Sequence, residues 1–206
     1  MSRGWLSRAQ DVGLIGPASL RFHNDHALGF SSSDVVREFF NSAGSRALDI
    51  GAGGGLPGLI LAAKFDLVKW TFIDSRKRSV DHLREAVAEE GLEDRVEVVS
   101  GRAEELARLE NLREGFGLVT ARGFGPPSVT AEIGAGFVAV GGYLVVSEPP
   151  DGGEDRWDAK SLTMLSLEMV EAWSTGEGHY RRFVKVAALD DRYPRRTGTP
   201  KKRPLF

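Results

Sequence analysis

Two carboxylates and a run of glycines are the residues in this chain most able to do chemistry together. The segment Gly51-Ala-Gly-Gly-Gly-Leu-Pro-Gly58 follows directly on the apolar run Arg46-Ala-Leu-Asp-Ile50. Glycines between a buried strand and a helix let the backbone take unusual angles and approach a ligand closely, although a plain tight turn would use them too. Asp49 lies one residue inside the strand end. Asp74 closes the next apolar run, where its carboxylate can accept two vicinal ribose hydroxyls or cap the following helix. The spacing Gly53-x-Gly55-x-x-Gly58 matches a dinucleotide fingerprint. In the register starting at Gly51, immediately after the strand, that fingerprint fails because Leu56 stands where a glycine is required. A carboxylate at Asp49 would repel a pyrophosphate and attract an ammonium or sulfonium, unless it only braces the loop. The pattern therefore favours S-adenosylmethionine (SAM) over NAD. Its candidate contacts are Asp49, Gly51, Gly53, Gly55, Leu56 and Asp74. Beyond the third strand, backbone groups of Ala103 and Glu104 can read an adenine edge, or Glu104 is an ordinary solvated helix residue.

Other chemistries lack their residues. The chain has no cysteine, which removes disulfides, thiolate nucleophiles and thiolate metal ligands, and suits a reducing, cytoplasmic setting. Its four histidines are His23, His26, His82 and His179. Only the first two are close, and no HExxH pattern supports them, so no metal site is expected. No Ser/His/Asp set is visible. A transfer to an atom that carries a lone pair and no proton would need none.

The elements that must position these residues alternate. Residues 46–50, 68–73, 96–99, 116–121 and 142–147 read as strands. Residues 58–64, 76–90, 103–112 and 128–140 read as the intervening helices, with Pro57 suited to a first turn and Gly91 to a stop. Near the start, Ser33 can cap a helix carrying Val35, Val36, Phe39 and Phe40 on one face. After a loop over 149–155 and a helix near 158–164, runs 165–173 and 180–189 are separated only by a short turn. That pattern makes an antiparallel hairpin. Five βα units with a closing hairpin predict an α/β class I methyltransferase-like (Rossmann-like) fold. It is a seven-stranded, mostly parallel sheet with right-handed crossovers.

The 206 residues are enough for one hydrophobic core, so one domain is expected. It divides into a helical and loop segment (1–44), the α/β core (45–190) and a basic tail (191–206). No apolar run approaches about 18 residues, which predicts no transmembrane helix, and the first residues do not read as a secretory signal. The formal net charge of −2 hides an asymmetry, for residues 179–206 hold nine Lys/Arg against two Asp/Glu. A basic edge on an acidic body fits a polyanionic partner, or merely a solubilising terminus.

Five segments together carry a resemblance. They are Asp49-Ile-Gly-Ala-Gly-Gly-Gly-Leu-Pro-Gly58, Asp74-Ser-Arg-Lys-Arg78, Gly101-Arg-Ala-Glu104, Val119-Thr-Ala-Arg-Gly-Phe124 and Tyr193-Pro-Arg-Arg-Thr-Gly-Thr-Pro-Lys-Lys-Arg-Pro204. With them the chain resembles the GidB (RsmG) family, which methylates N7 of a guanine in 16S ribosomal RNA with SAM. The resemblance implies that 16S RNA or the small subunit is the partner. It also implies that Arg122 sits beside the transferred methyl, clamping the SAM carboxylate or guanine O6. Lys77, Arg78, Arg195 and Arg196 become candidate phosphate contacts, which set position and affinity rather than sequence. Each of these cations has a plainer alternative as a structural ion pair or solvated charge. The chain departs from the family where strand five commonly ends in Lys-Gly, for here Ser147-Glu148-Pro149-Pro150 follows. Glu148 would repel a phosphate, accept from a guanine Watson–Crick edge, or point away. The departure keeps two alternatives open: a SAM-dependent methyltransferase of another substrate, and a non-catalytic binder of SAM or ribosomal RNA.

Overall fold

A computed structural model describes residues 4–149 and 156–206. Strands β1 (Arg46–Ile50), β2 (Lys69–Asp74), β3 (Val96–Ser100), β4 (Phe116–Ala121), β5 (Val138–Glu148), β6 (Leu167–Ser174) and β7 (His179–Lys185) form one sheet in the order β3-β2-β1-β4-β5-β7-β6. The first five are parallel, and β7 runs antiparallel to both β5 and β6. The class I methyltransferase fold and its closing hairpin are as the alternation of elements predicts. Strand order reverses between β1 and β4. Ligands of open α/β sheets bind at such a switch point, outside the carboxyl ends of the strands.

The period-2 geometry of the central strands divides the core in two. Ala47, Phe72 and Leu118 face one layer with helices α1 (Gly4–Asp11), α2 (Leu20–Gly29), α3 (Asp34–Phe40), α4 (Gly58–Lys64) and α5 (Lys77–Glu89). Leu48, Ile73 and Val119 face the other, with α6 (Ala103–Leu106), α7 (Pro127–Ala135) and α8 (Ala159–Met164). Each large apolar side chain fully buried in these layers contributes about 1.5–3 kcal/mol.

The N-terminal segment is three docked helices. Trp5 is fully buried, and its indole N–H donates to Glu90 at 2.8 Å. Phe40 stacks on Phe65 with centroids 4.3 Å apart. Ser33 does occupy the N-cap position of α3, yet its hydroxyl donates to Glu171, 138 residues away, instead of capping the helix. Pro57 stands just before α4 and not inside its first turn.

Two helices are shorter than their sequence patterns. α6 stops at Leu106, and α7 ends at Ala135, just before Gly136. Residues 138–140 belong to β5, where Val138 pairs with Phe116 before a register shift. Tertiary pairing overrides helix propensity there. Residues 150–155 of the expected loop lie outside the described residues.

The basic tail over 191–206 is packed on the body of the protein. Tyr193 is buried, and Leu205 and Phe206 pack on the core. Arg108 and Arg113 donate to backbone carbonyls of Pro194 and Tyr193. A short helix α9 (Thr199–Lys202) carries the buried Pro200.

Candidate active site

The glycine loop leaves β1 and turns into α4 over a buried carboxylate. Asp49 is fully buried, with Oδ2 accepting the Gly58 N–H at 2.9 Å and Oδ1 accepting the Thr120 hydroxyl at 2.8 Å. A Cβ at Gly58 would lie 2.7 Å from Asp49 Oδ2, so only glycine lets the helix start so close. Asp49 is thus a brace of the loop, each of its oxygens accepting from a protein donor. Burial pushes its carboxyl up to about 7; the hydrogen bonds from Thr120 and Gly58 and the charge of Arg122 oppose that rise.

Asp74 ties the loop to β2. Its Oδ2 accepts the Gly53 N–H at 3.0 Å, and its Oδ1 accepts the Arg76 N–H at 2.8 Å. Gly53 has φ +53°, a left-handed conformation that glycine takes without strain. Each carboxylate oxygen offers about two lone-pair sites, so Asp74 retains acceptor capacity toward a ribose.

A cavity of about 330 Å³ opens beside it, lined in part by Gly51, Asp74, Ala103 and Glu104, as the sequence predicts for one ligand site. Arg76, Arg102, Phe124 and Lys201 also line it. Gly55 and Leu56 do not line it. Gly55 packs on Trp5 and Leu59, and Leu56 is buried in the same layer, so they shape the loop from beneath. Glu104 is buried; its Oε1 accepts from Arg102 at 3.1 Å and from the Gly198 N–H at 3.2 Å.

A second cavity of about 360 Å³ adjoins the first at the end of β4 and β5. Gly123 and Phe124 belong to both linings, and Arg122, Glu148, Arg156 and Trp157 to this one alone. Arg122 is half-buried, and burial lowers its pKa from the usual arginine value. Its Nη2 donates to His23 Nδ1 at 3.0 Å, while His23 Nε2 lies 2.9 Å from the Gly16 carbonyl. A carbonyl only accepts, so Nε2 carries the ring proton and Nδ1 is the acceptor. Arg122 Nη1 is buried with no hydrogen-bond partner among the described residues. Behind it, His26 is pushed down to about 4 by burial first, then by the charges of Arg122 and His23. It is neutral at physiological pH.

Glu148 lines this second cavity, and its carboxylate is held by protein donors. Its carboxylate is 2% exposed, paired with Arg156, accepting from the Trp157 indole N–H and 3.7 Å from Arg181.

The structure disperses the expected phosphate contacts. Lys77 and Arg78 are exposed at the start of α5, with Lys77 paired to Asp81 at 2.5 Å. Arg196 is exposed. Arg195 is committed to Glu132, which is fully buried, through three side-chain contacts of 2.6–3.1 Å and its own backbone N–H.

Sequence reasoning did not single out Phe124, His23, Arg156, Trp157 or Lys201 as site residues. Phe124 had a visible signal, an aromatic two residues past Arg122 in a glycine- and proline-rich loop. The others reach the site from distant elements and leave no local spacing to read. Among the described residues no group of three His, Cys, Asp or Glu could hold a metal ion, and no helix is long and apolar enough to cross a membrane.

Comparison with known proteins adds to this geometry. The family model GidB, described as rRNA small subunit methyltransferase G, matches residues 11–170. The ribosomal RNA small subunit methyltransferase G of Thermotoga maritima is 37% identical over 202 residues, covering 94% of this chain and 84% of that protein. That of Moorella thermoacetica is 35% identical over 168 residues, covering 78% and 70%. Among solved structures, a SAM-dependent methyltransferase from Aquifex aeolicus superposes with TM-score 0.59 at 18% identity, covering 88% of this chain and 98% of that one. The [4+2]-cyclase SpnF superposes with TM-score 0.58 at 21% identity over 77% and 62%. A cyclase in this company means that likeness at such identity speaks to fold alone.

Proposed function

The chain belongs to the GidB family of small-subunit ribosomal RNA methyltransferases, which work with SAM, and from that premise we propose that it methylates N7 of a guanine in 16S ribosomal RNA in the cytoplasm. The observation that carries the reading is the pair of adjoining cavities at the switch point. A buried carboxylate suited to a ribose lies in one, an arginine with an unpartnered donor lies in the other, and Phe124 stands between them. SAM, when bound, supplies a methyl on a sulfonium that a lone pair displaces in line.

The residues present fit that cofactor. Asp74 would accept the ribose hydroxyls, and the backbone at Gly51, Ala103 and Glu104 would border the nucleoside. Arg122 Nη1 is a buried donor that a cofactor carboxylate or guanine O6 would satisfy. Asp49 keeps the loop in shape from below. Guanine N7 bears a lone pair and no proton, so the site needs alignment and accommodation of charge, and no base. That agrees with a site whose histidine neighbour His26 is held neutral and whose His23 orients Arg122.

The exposed cations Lys77, Arg78 and Arg196 would contact phosphates, whereas Arg195 is occupied with Glu132 and would hold the tail in place. The rearranged end of β5 favours a second reading, methylation of a different RNA nucleotide, because Glu148 and its arginines line the cavity where the acceptor would sit.

Purified protein given methyl-labelled SAM and small ribosomal subunits should incorporate label into 16S RNA. Arg122→Ala should lower the single-turnover rate by about 10²-fold or more while leaving the fold intact by circular dichroism. An unaffected rate in Arg122→Ala would remove it from the acceptor site, and label appearing in protein instead of RNA would overturn the substrate.

A further inference from the structure

The C-terminal tail reaches the cavity assigned above to the SAM nucleoside. Arg195 is anchored on the buried Glu132, the Thr197 hydroxyl donates to Glu105 at 2.9 Å, and the Gly198 N–H donates to Glu104. Pro200 is buried, which fixes the start of α9. These fastenings bring Lys201 into the lining of the cavity, opposite the sequence position where any cofactor motif would be sought.

Three cations line this cavity: Arg76, Arg102 and Lys201. Arg76 is held by Asp74 at 3.4 Å and Arg102 by Glu104 at 3.1 Å. The Lys201 ammonium makes no hydrogen bond or ion pair among the described residues. It therefore has three donors to offer, and the nucleoside offers acceptors in its ribose oxygens and adenine ring nitrogens.

We propose that the C-terminal tail is a wall of the cofactor pocket and that Lys201 is a cofactor-contacting residue, donating to the nucleoside end of SAM. The tail is then no separate appendage for RNA. It contributes to the site that the glycine loop begins, from 143 residues further along the chain than Gly58. The inference rests on the reading of this cavity as the nucleoside site, and Asp74 provides its control.

Calorimetry of SAM and of adenosine binding to the full chain tests it, with Lys201→Met, Lys201→Arg and Asp74→Ala. Lys201→Met is expected to weaken both ligands by about five-fold or more, a charge-assisted hydrogen bond discounted for exposure. Lys201→Arg should recover most of the loss, and the melting temperature of the ligand-free protein should not move, because the side chain is exposed. Weakening by Asp74→Ala with none by Lys201→Met overturns the role of Lys201 and leaves the cavity assignment standing. No weakening by either variant removes the cavity assignment itself. A loss with Lys201→Met that affects SAM but not adenosine also overturns the proposal, since it places the contact at the wrong end.

Discussion

One buried carboxylate, Asp49, shapes the glycine loop. It holds the first turn of α4 through Gly58 and the end of β4 through Thr120, and in doing so fixes the shape of the glycine loop on both sides. The cost is a buried acid. Its pKa, raised by burial from 3.8 to about 7, means the folded protein binds a proton there that the unfolded chain has already released between those values. The stability contributed by Asp49 is fully present below about pH 4 and is lost as pH rises through 7. Asp49→Asn keeps an acceptor for Gly58 and does not titrate. The urea midpoint of Asp49→Asn relative to wild type should therefore rise from about pH 4 to about pH 7 and level off above it. A gap that is constant or narrows over that range would show that the carboxyl is not held above its ordinary value. The sequence placed an acid beside the loop for its charge toward a cofactor, and the same residue turned out to serve hydrogen bonding. Residue type and position were legible; the direction of its two oxygens was not, because it depends on Thr120, which is 71 residues away.

Elements were legible where the pattern was local. Alternating apolar runs and glycine stops gave five βα units and the closing hairpin, and hydrophobic period alone located each strand to within a few residues. What could not be read was how segments reach across the fold. α2 delivers His23 to Arg122 over 99 residues, and the tail is fixed by Glu132 over 63. Neither contact has a spacing rule. The junction of β5, β7 and α8 is of the same kind. Glu148 of β5, Arg181 of β7, and Arg156 and Trp157 ahead of α8 gather around one buried carboxylate. A lysine at position 148 would put a third cation among the two arginines and leave the Trp157 N–H without its acceptor. Glu148→Lys is expected to destabilise the protein by about 3–5 kcal/mol, the range for stranding one half of a buried ion pair, and Glu148→Gln by less. Thermal or urea denaturation reads this directly. A Glu148→Lys protein as stable as wild type would mean that the cluster does not hold the three elements together.

At the scale of the whole molecule, an acidic body carries its positive charge on the last strand and the tail. The tail reaches the cavity proposed to hold cofactor through Lys201, whereas Lys77 and Arg78 stand at the start of α5. Phosphate contacts there would set the register of the RNA, while Arg122 and its neighbours would meet the acceptor. On the proposal above, this arrangement delivers a methyl to guanine N7 of 16S RNA. Mass mapping of modified nucleotides in 16S RNA, from cells with and without the gene and with the gene carrying Arg122→Ala, tests that claim most directly. One N7-methylguanosine is expected to disappear with the gene, to be restored by the wild-type copy and not to be restored to the same level by Arg122→Ala. Identical 16S modification in the presence and absence of the gene, or a lost methyl that lies on an atom other than guanine N7, would contradict it.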